Sequence, residues 1–452
     1  METKKTSLDK LVDVVEQINY DAIPAATVQK AKEVIADFIA VAFKGSANPM
    51  SKRLKEVTKA PFESNEEDTA LWIGSTARMP DIDDGHRFAM AHPGVAINST
   101  ALVTAWKRGG ISGKKLIEAV VRADEVYCWE GRVINPSAYL KRGVDATSIC
   151  GGAAAATAVA DLLGFDRTQL SDAISLAASL AGGLNQSAID GSAQKFTVAG
   201  WGAKTGIACA RMAENALGGP CGVYEGRLGY VNAYSPDPNT ELLNNPKLTW
   251  DINSAYMKRY ACVRRIHATL DAVSDIVRKE GLKAADVKAV RVFGSEFLCA
   301  AVNYAPKDDA QTQTSVPYTV AVLLNDGRVE DELLQKHLHD EALLAYAKRI
   351  TVALDAEIVA MAEKDKSLWG AAKVEVETVD GRIFKATQIT PYGDPELPLP
   401  AGAVEEKFMA YVGEACGKEY AAKLWNTLSR LETLEDTRPY LQELFTKFAH
   451  CE

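Results

Sequence analysis

The stretch that most restricts the fold runs from Gly151 to Leu163 and reads G-G-A-A-A-A-T-A-V-A-D-L-L. A helix with so little side-chain bulk can bury itself only by lying against close neighbours. Gln169–Ala181 and Ala199–Leu217 repeat the same character, and the second stops at Gly218-Gly219-Pro220. Between them a polar loop, G-G-L-N-Q-S-A-I-D-G-S-A-Q-K, ends at Lys195. Upstream, residues 8–45 read as two helices broken at Asn19–Pro24, with Val28, Ala31, Val34, Ile35, Phe38 and Ile39 at helical spacing. Residues 46–68 read as a polar loop. Helices follow over 97–107 and 114–127, then a polar loop over 135–144. Residues 1 to about 220 thus form an all-helical unit.

The texture changes near residue 250. Val287–Phe293, Arg349–Leu354, Lys373–Thr378 and Arg382–Gln388 carry β-branched alternation, and the last two flank Asp380-Gly381, a hairpin signal. Helices are expected over 268–280, 316–325 and 355–364. Pro391–Gly402 reads as a linker, and 403–449 returns to helical spacing. The expected fold is mainly α: a large helical domain from residues 1–255 and 401–452, and a smaller α+β lid domain over 256–400.

The 452 residues carry a formal charge of −9, with no basic stripe of the kind that binds nucleic acid. No run of 18 apolar residues suggests a membrane span, and the N-terminus lacks the apolar core of a signal peptide. None of the eight cysteines forms C-x-x-C, so reduced thiols in a cytoplasmic protein are expected. G-x-G-x-x-G and G-x-S-x-G are absent. G-G-I-S-G-K-K at 109–115 fails as a phosphate loop, because Lys115 stands where Ser or Thr should hold magnesium. His337 and His339, two apart in a charged helix, point to different faces.

Reactive groups gather in Met79–Gly94, M-P-D-I-D-D-G-H-R-F-A-M-A-H-P-G. Pro80, Gly85, Pro93 and Gly94 forbid one continuous helix, so a bent segment between helices is expected. Asp81, Asp83, Asp84, His86 and His92 could supply acids, bases or metal ligands; the plain alternative is a solvated acidic turn. Further stretches set reactive groups beside glycines or small residues: R-G-V-D-A-T-S at 142–148, Q-K at 194–195 with G-W-G-A-K after it, and K-R-Y-A-C-V-R-R-I-H-A-T-L-D-A at 258–272. To these belong S-V-P-Y-T-V-A-V-L-L at 315–324, A-V-A-D-L-L-G-F-D-R-T-Q-L-S-D-A-I-S-L-A-A-S at 158–179 and E-E-K-F at 405–408. In this order, from about residue 8 to 450, they resemble the MmgE/PrpD family, which includes 2-methylcitrate dehydratase, cis-aconitate decarboxylase and iminodisuccinate epimerase.

The resemblance implies a homodimer and an active site between the two domains that uses neither metal nor cofactor. By motif, Asp81, His92, Lys195, His267 and Tyr318 become catalytic candidates. Two positions depart from the pattern. Gly143-Val144-Asp145 stands where a dehydratase carries glycine, an aromatic and histidine, and Val198 stands where a histidine is frequent. Asp145 joins the catalytic candidates as a base, or as a carboxylate that raises the pKa of Lys195 or a histidine.

The chemistry agrees with such a set. A proton α to a carboxylate is released only to a well-placed base, with cations over the developing charge. Lys195, His92 and His267 can supply that charge, and Arg142, Arg264, His86 and Asp84 are candidates for substrate binding. Each has a bland alternative: Lys195 a surface lysine with a little-buried stem, His92 a helix cap, His267 a structural hydrogen bond, Tyr318 plain core. The function expected is a cofactor-independent hydro-lyase acting on a small hydroxylated di- or tricarboxylate anion. An epimerase of the iminodisuccinate type, or a non-catalytic dimeric scaffold, are the alternatives.

Overall fold

The computed structural model describes residues 5–451. At its centre the helix Gln194–Glu214 lies between Glu66–Arg78 on one side and Ala146–Leu162 on the other. Small residues permit this spacing. A methyl on Gly206 would sit 2.3 Å from the Ala155 side chain and 2.5 Å from the Gly152 carbonyl; one on Gly200 would sit 2.1 Å from the Leu71 carbonyl. Every residue of Ala146–Leu162 is buried, as its Ala-rich composition requires.

Pro93–Arg108 and Gly113–Ile134 complete the layer around Ala146–Leu162. The end of the chain returns to this body. Ala403–Cys416 packs on Ala25–Ser46. Arg438–His450 docks through Phe445, stacked on Trp106 at 4.4 Å, and Phe448, which meets Phe43 and Trp72. Pro49–Thr58 is helical where the polar composition suggested a loop. Its start was legible, since Asn48 caps the Met50 N–H and Pro49 takes the first position.

The four-stranded sheet has the order Ile350–Leu354, Val287–Gly294, Ala372–Thr378, Ile383–Gln388. The first pair is parallel and the others antiparallel. Val290, Val292, Val374 and Val376 are buried, and the helix His267–Glu280 packs against the two strands of the hairpin. The opposite face is tied by charges, with Lys385 2.5 Å from Glu375 and Lys288 2.6 Å from Glu377. A separate two-residue ladder pairs Gly85–His86 with Ala255–Tyr256 and draws the reactive loop toward the second half of the chain. Among the described residues no helix is long and apolar enough to cross a membrane.

The closeness of the central helices sets a first test. Gly206→Val should lower the unfolding free energy by about 3 kcal/mol, because backbone rather than a flexible side chain fills the space a Cβ needs. Urea denaturation measures this, and an unchanged midpoint would contradict the packing.

Candidate active site

The ends of the three central helices converge. Arg78 closes Glu66–Arg78, Lys195 opens Gln194–Glu214, and Asp145 caps Ala146–Leu162. All three line a cavity of about 460 Å³. His86, His92 and Tyr256 line it too, with Arg264 and Arg265 from the far side. The wall carries seven cationic side chains, Arg78, Arg87, Arg132, Lys195, Arg264, Arg265 and Lys366, and a single carboxylate, Asp145. Phe88, Tyr139, Phe297 and Trp369 supply the aromatic part.

Beneath the wall lies Asp81, fully buried and in the left-handed backbone region at φ 52°. Its Oδ1 accepts from Arg78 and from Lys258, both at 2.5 Å, and its Oδ2 accepts from Lys195 at 2.9 Å. Burial alone would raise its pKa, but Arg78, Lys195 and Lys258 outweigh it and hold the carboxyl well below the usual range. Asp83 behaves alike: burial opposes, while Arg78 and His92 prevail. Lys195 is buried, not surface-exposed as its polar surroundings in sequence suggested. Its second anchor is the Gln313 Oε1 at 2.6 Å, and Gln313 in turn donates to the Met79 carbonyl at 2.8 Å. Burial lowers the Lys195 pKa and Asp81 opposes that shift.

His92 has its tautomer set by its neighbours. Nδ1 lies 2.9 Å from both the Asp84 carbonyl and Asp83 Oδ2, two acceptors, so it carries the proton. Nε2 faces the Arg78 guanidinium at 3.1 Å, which can only donate. Burial and Arg78 lower its pKa, so His92 is a neutral ring rather than the cation anticipated. His86 is neutral for the same physical reason, with burial pushing its pKa down to about 4. Its Nδ1 accepts the Ala89 N–H at 3.1 Å, and its Nε2 stands 3.8 Å from Asp251.

Asp84 lies under the loop, where it accepts the Gly94 N–H at 3.3 Å. A methyl on Gly94 would come within 2.1 Å of it, so the glycine of H-P-G is required by this contact. Burial, with Asp37 and Asp83 nearby, raises the Asp84 pKa well above the ordinary value. Asp145 accepts the Thr147 N–H at 2.8 Å, and its charge reaches Arg78. Arg264 lies over the Tyr256 ring and is paired with Asp394, its Nε 2.9 Å from Oδ1.

Three candidates stand elsewhere. Tyr318 is fully buried and donates to the Leu334 carbonyl at 2.6 Å, as a core tyrosine does. His267 lies behind the wall, 3.2 Å from the Cys262 carbonyl and edge-on to Tyr260, with burial pushing its pKa down to about 3. It too is a neutral ring. Arg142 is exposed on the turn Ala138–Arg142, outside the cavity wall. Sequence reasoning passed over Arg78, Lys258, Gln313 and Arg265. Arg78 stands three and five residues before two aspartates, a readable signal; Gln313 has no local signal.

Models of the MmgE/PrpD N-terminal domain and C-terminal domain match residues 9–243 and 260–433. The chain belongs to the MmgE/PrpD family. It is similar to the cis-aconitate decarboxylase-like protein oryM of Aspergillus oryzae, 24% identical with 96% of each chain covered. It is also similar to a cis-aconitate decarboxylase of Aspergillus terreus, 24% identical over 94% of this chain and 93% of that one.

The neutral His86 yields a pH prediction. Its folded pKa of about 4 lies below the ordinary 6.5. As pH falls through 6.5 the unfolded chain gains a proton that the folded chain refuses, so stability is lost between pH 6.5 and 4, by up to about 3 kcal/mol. Asp84, raised, acts with the opposite sign, so the comparison must be between variants. His86→Asn keeps an acceptor near the Ala89 N–H and should remove this part of the acid slope. Parallel stability curves for the two proteins from pH 6.5 to 4 would show that His86 is not a buried neutral ring.

Proposed function

We propose that the protein is a cofactor-independent lyase acting on a small di- or tricarboxylate. One observation carries the reading: an acidic protein devotes a cavity with seven cations and one carboxylate to its interior. Such a wall attracts a polyanion and stabilises charge that develops on carbon next to a carboxylate. The names of the relatives, cis-aconitate decarboxylases, support the same substrate chemistry.

In this reading Lys195 is the proton donor, to carbon in a decarboxylation and to the leaving hydroxyl in a dehydration. Asp81 and Gln313 hold two of its ammonium hydrogens and leave one for the cavity. In a decarboxylation the carbon–carbon bond electrons stay on carbon, carbon dioxide leaves, and the carbon takes a proton from Lys195. In a dehydration Asp145 takes the α proton, the electron pair forms the double bond, and the hydroxyl leaves as water with the Lys195 proton. Arg264, Arg87 and Arg132 are already paired with carboxylates behind the wall. Arg265 is different: its guanidinium lies 4.7 Å from the Phe297 ring centre and pairs with no carboxylate among the described residues, and its buried Nε, like those of Arg78 and Arg87, has no hydrogen-bond partner there. It is the group with most to gain from a substrate carboxylate.

Epimerisation is the second reading, favoured by Asp145. A carboxylate and an ammonium from different helices give two acid–base groups in one cavity. Proton NMR in deuterated water with a panel of carboxylates separates these outcomes. A lyase yields a new vinyl signal with loss of hydroxyl or carbon dioxide. Deuterium wash-in without a new product indicates an epimerase, and no change with any substrate rejects both.

Two substitutions test the roles. Lys195→Met, which keeps the buried stem apolar, should lower kcat at least about a thousandfold, or about 4 kcal/mol of barrier. A variant within a factor of ten of the parent rules out Lys195 as proton donor. Arg265→Gln should raise KM about tenfold while kcat stays within a few-fold, the pattern of a lost binding contact. Steady-state kinetics decide it, and an unchanged KM refutes the carboxylate contact.

A further inference from the structure

Two cysteines remain unused by anything above. Cys416 ends the helix Ala403–Cys416, and Cys451 caps Arg438–His450. Their Sγ atoms lie 2.8 Å apart, inside the contact distance of two unbonded sulfurs. Both side chains are partly exposed, so a small reagent can reach them. The hydrogen bond from Cys451, with Lys447 nearby, lowers the Cys416 pKa and favours its thiolate, while the same hydrogen bond and burial raise the Cys451 pKa and keep it a thiol. The other six cysteines lack these features together. Cys128, Cys150, Cys209 and Cys262 are buried; Cys221 is exposed and Cys299 partly so, and neither has a thiol neighbour among the described residues.

We propose that Cys416 and Cys451 are a redox pair that a low-molecular-weight disulfide oxidises to an intramolecular disulfide. The Cys416 thiolate attacks one sulfur of the small disulfide, whose S–S bond breaks and releases one small thiolate. The Cys451 thiol gives its proton to solvent and attacks the Cys416 sulfur of the mixed disulfide. The second small thiolate leaves, and both take up protons. The protein has lost two electrons and two protons, and the oxidant has become two thiols. The crosslink joins positions 35 residues apart and encloses the helix Lys418–Leu428. It fixes the end of the last helix to the helix that packs on Ala25–Ser46, and it restricts the unfolded chain.

The test uses the full chain with oxidised glutathione, followed by proteolytic mapping and thermal melting. The wild type should yield a Cys416–Cys451 crosslinked peptide, two hydrogens lighter, and a melting temperature several degrees higher, both reversed by dithiothreitol. Cys221 should carry a glutathione that has no second cysteine to displace it. Cys451→Ser should retain glutathione on Cys416, and neither Cys451→Ser nor Cys416→Ser should gain melting temperature. The crosslink in the wild type is decisive even where a variant folds poorly. Persistent glutathione on Cys416 or Cys451 of the wild type without the crosslinked peptide would overturn the proposal. So would an unmodified pair alongside a modified Cys221.

Discussion

The arrangement depends on one buried carboxylate. Asp81 has no access to solvent, and its two oxygens receive Arg78, Lys258 and Lys195 from three separated parts of the chain. A charge in such a place is tolerated only when its partners are close and well directed. The converse also holds, because three buried cations need this anion. The loop must therefore enter at the left-handed backbone angle observed at Asp81, and the helices bearing Arg78 and Lys195 must meet at the right height. The glycine contacts of the central helix allow that height.

The cavity charge is arranged in two depths. Guanidiniums at the wall are backed by carboxylates: Arg264 by Asp394, Arg132 by Asp251, Arg78 by Asp81 and Asp83. Pairing from behind fixes their direction without removing them from the cavity. A polyanion then meets oriented donors and needs little reorganisation of the protein. Histidine takes little part in this field, since burial holds His86, His92 and His267 in their neutral forms.

What could be read in the sequence was periodic or local. Alanine and glycine at Gly151–Leu163 demanded close helices, and Asp380-Gly381 marked the hairpin between Ala372–Thr378 and Ile383–Gln388. Proline and glycine marked the bent loop that carries Asp81, Asp84, His86 and His92. What could not be read were meetings at long range. Lys258 sat within a stretch already singled out, yet only the fold shows it reaching Asp81, 177 residues away. Arg264 and Arg265 are adjacent in sequence and equal in composition; their neighbours distinguish them, one with Asp394 and the other with Phe297. Lys195 looked like a loop residue because Gln and Ser precede it, whereas it begins a buried helix. Tyr318 was placed near the chemistry by motif and Arg142 by its charge, and the structure sets one in the core and the other at the surface.

Lys407, on the helix Ala403–Cys416, donates at 2.6 Å to Asp37 and at 2.6 Å to the carbonyl of Ile82. It thereby holds the loop from outside, next to Asp81. During synthesis on the ribosome every cavity-lining residue emerges before this lysine does. The nascent chain thus carries all its cavity-lining residues while the clamp that holds their loop is still missing. Completion of the site therefore waits on the synthesis of Lys407, and a chain arrested before it lacks that clamp.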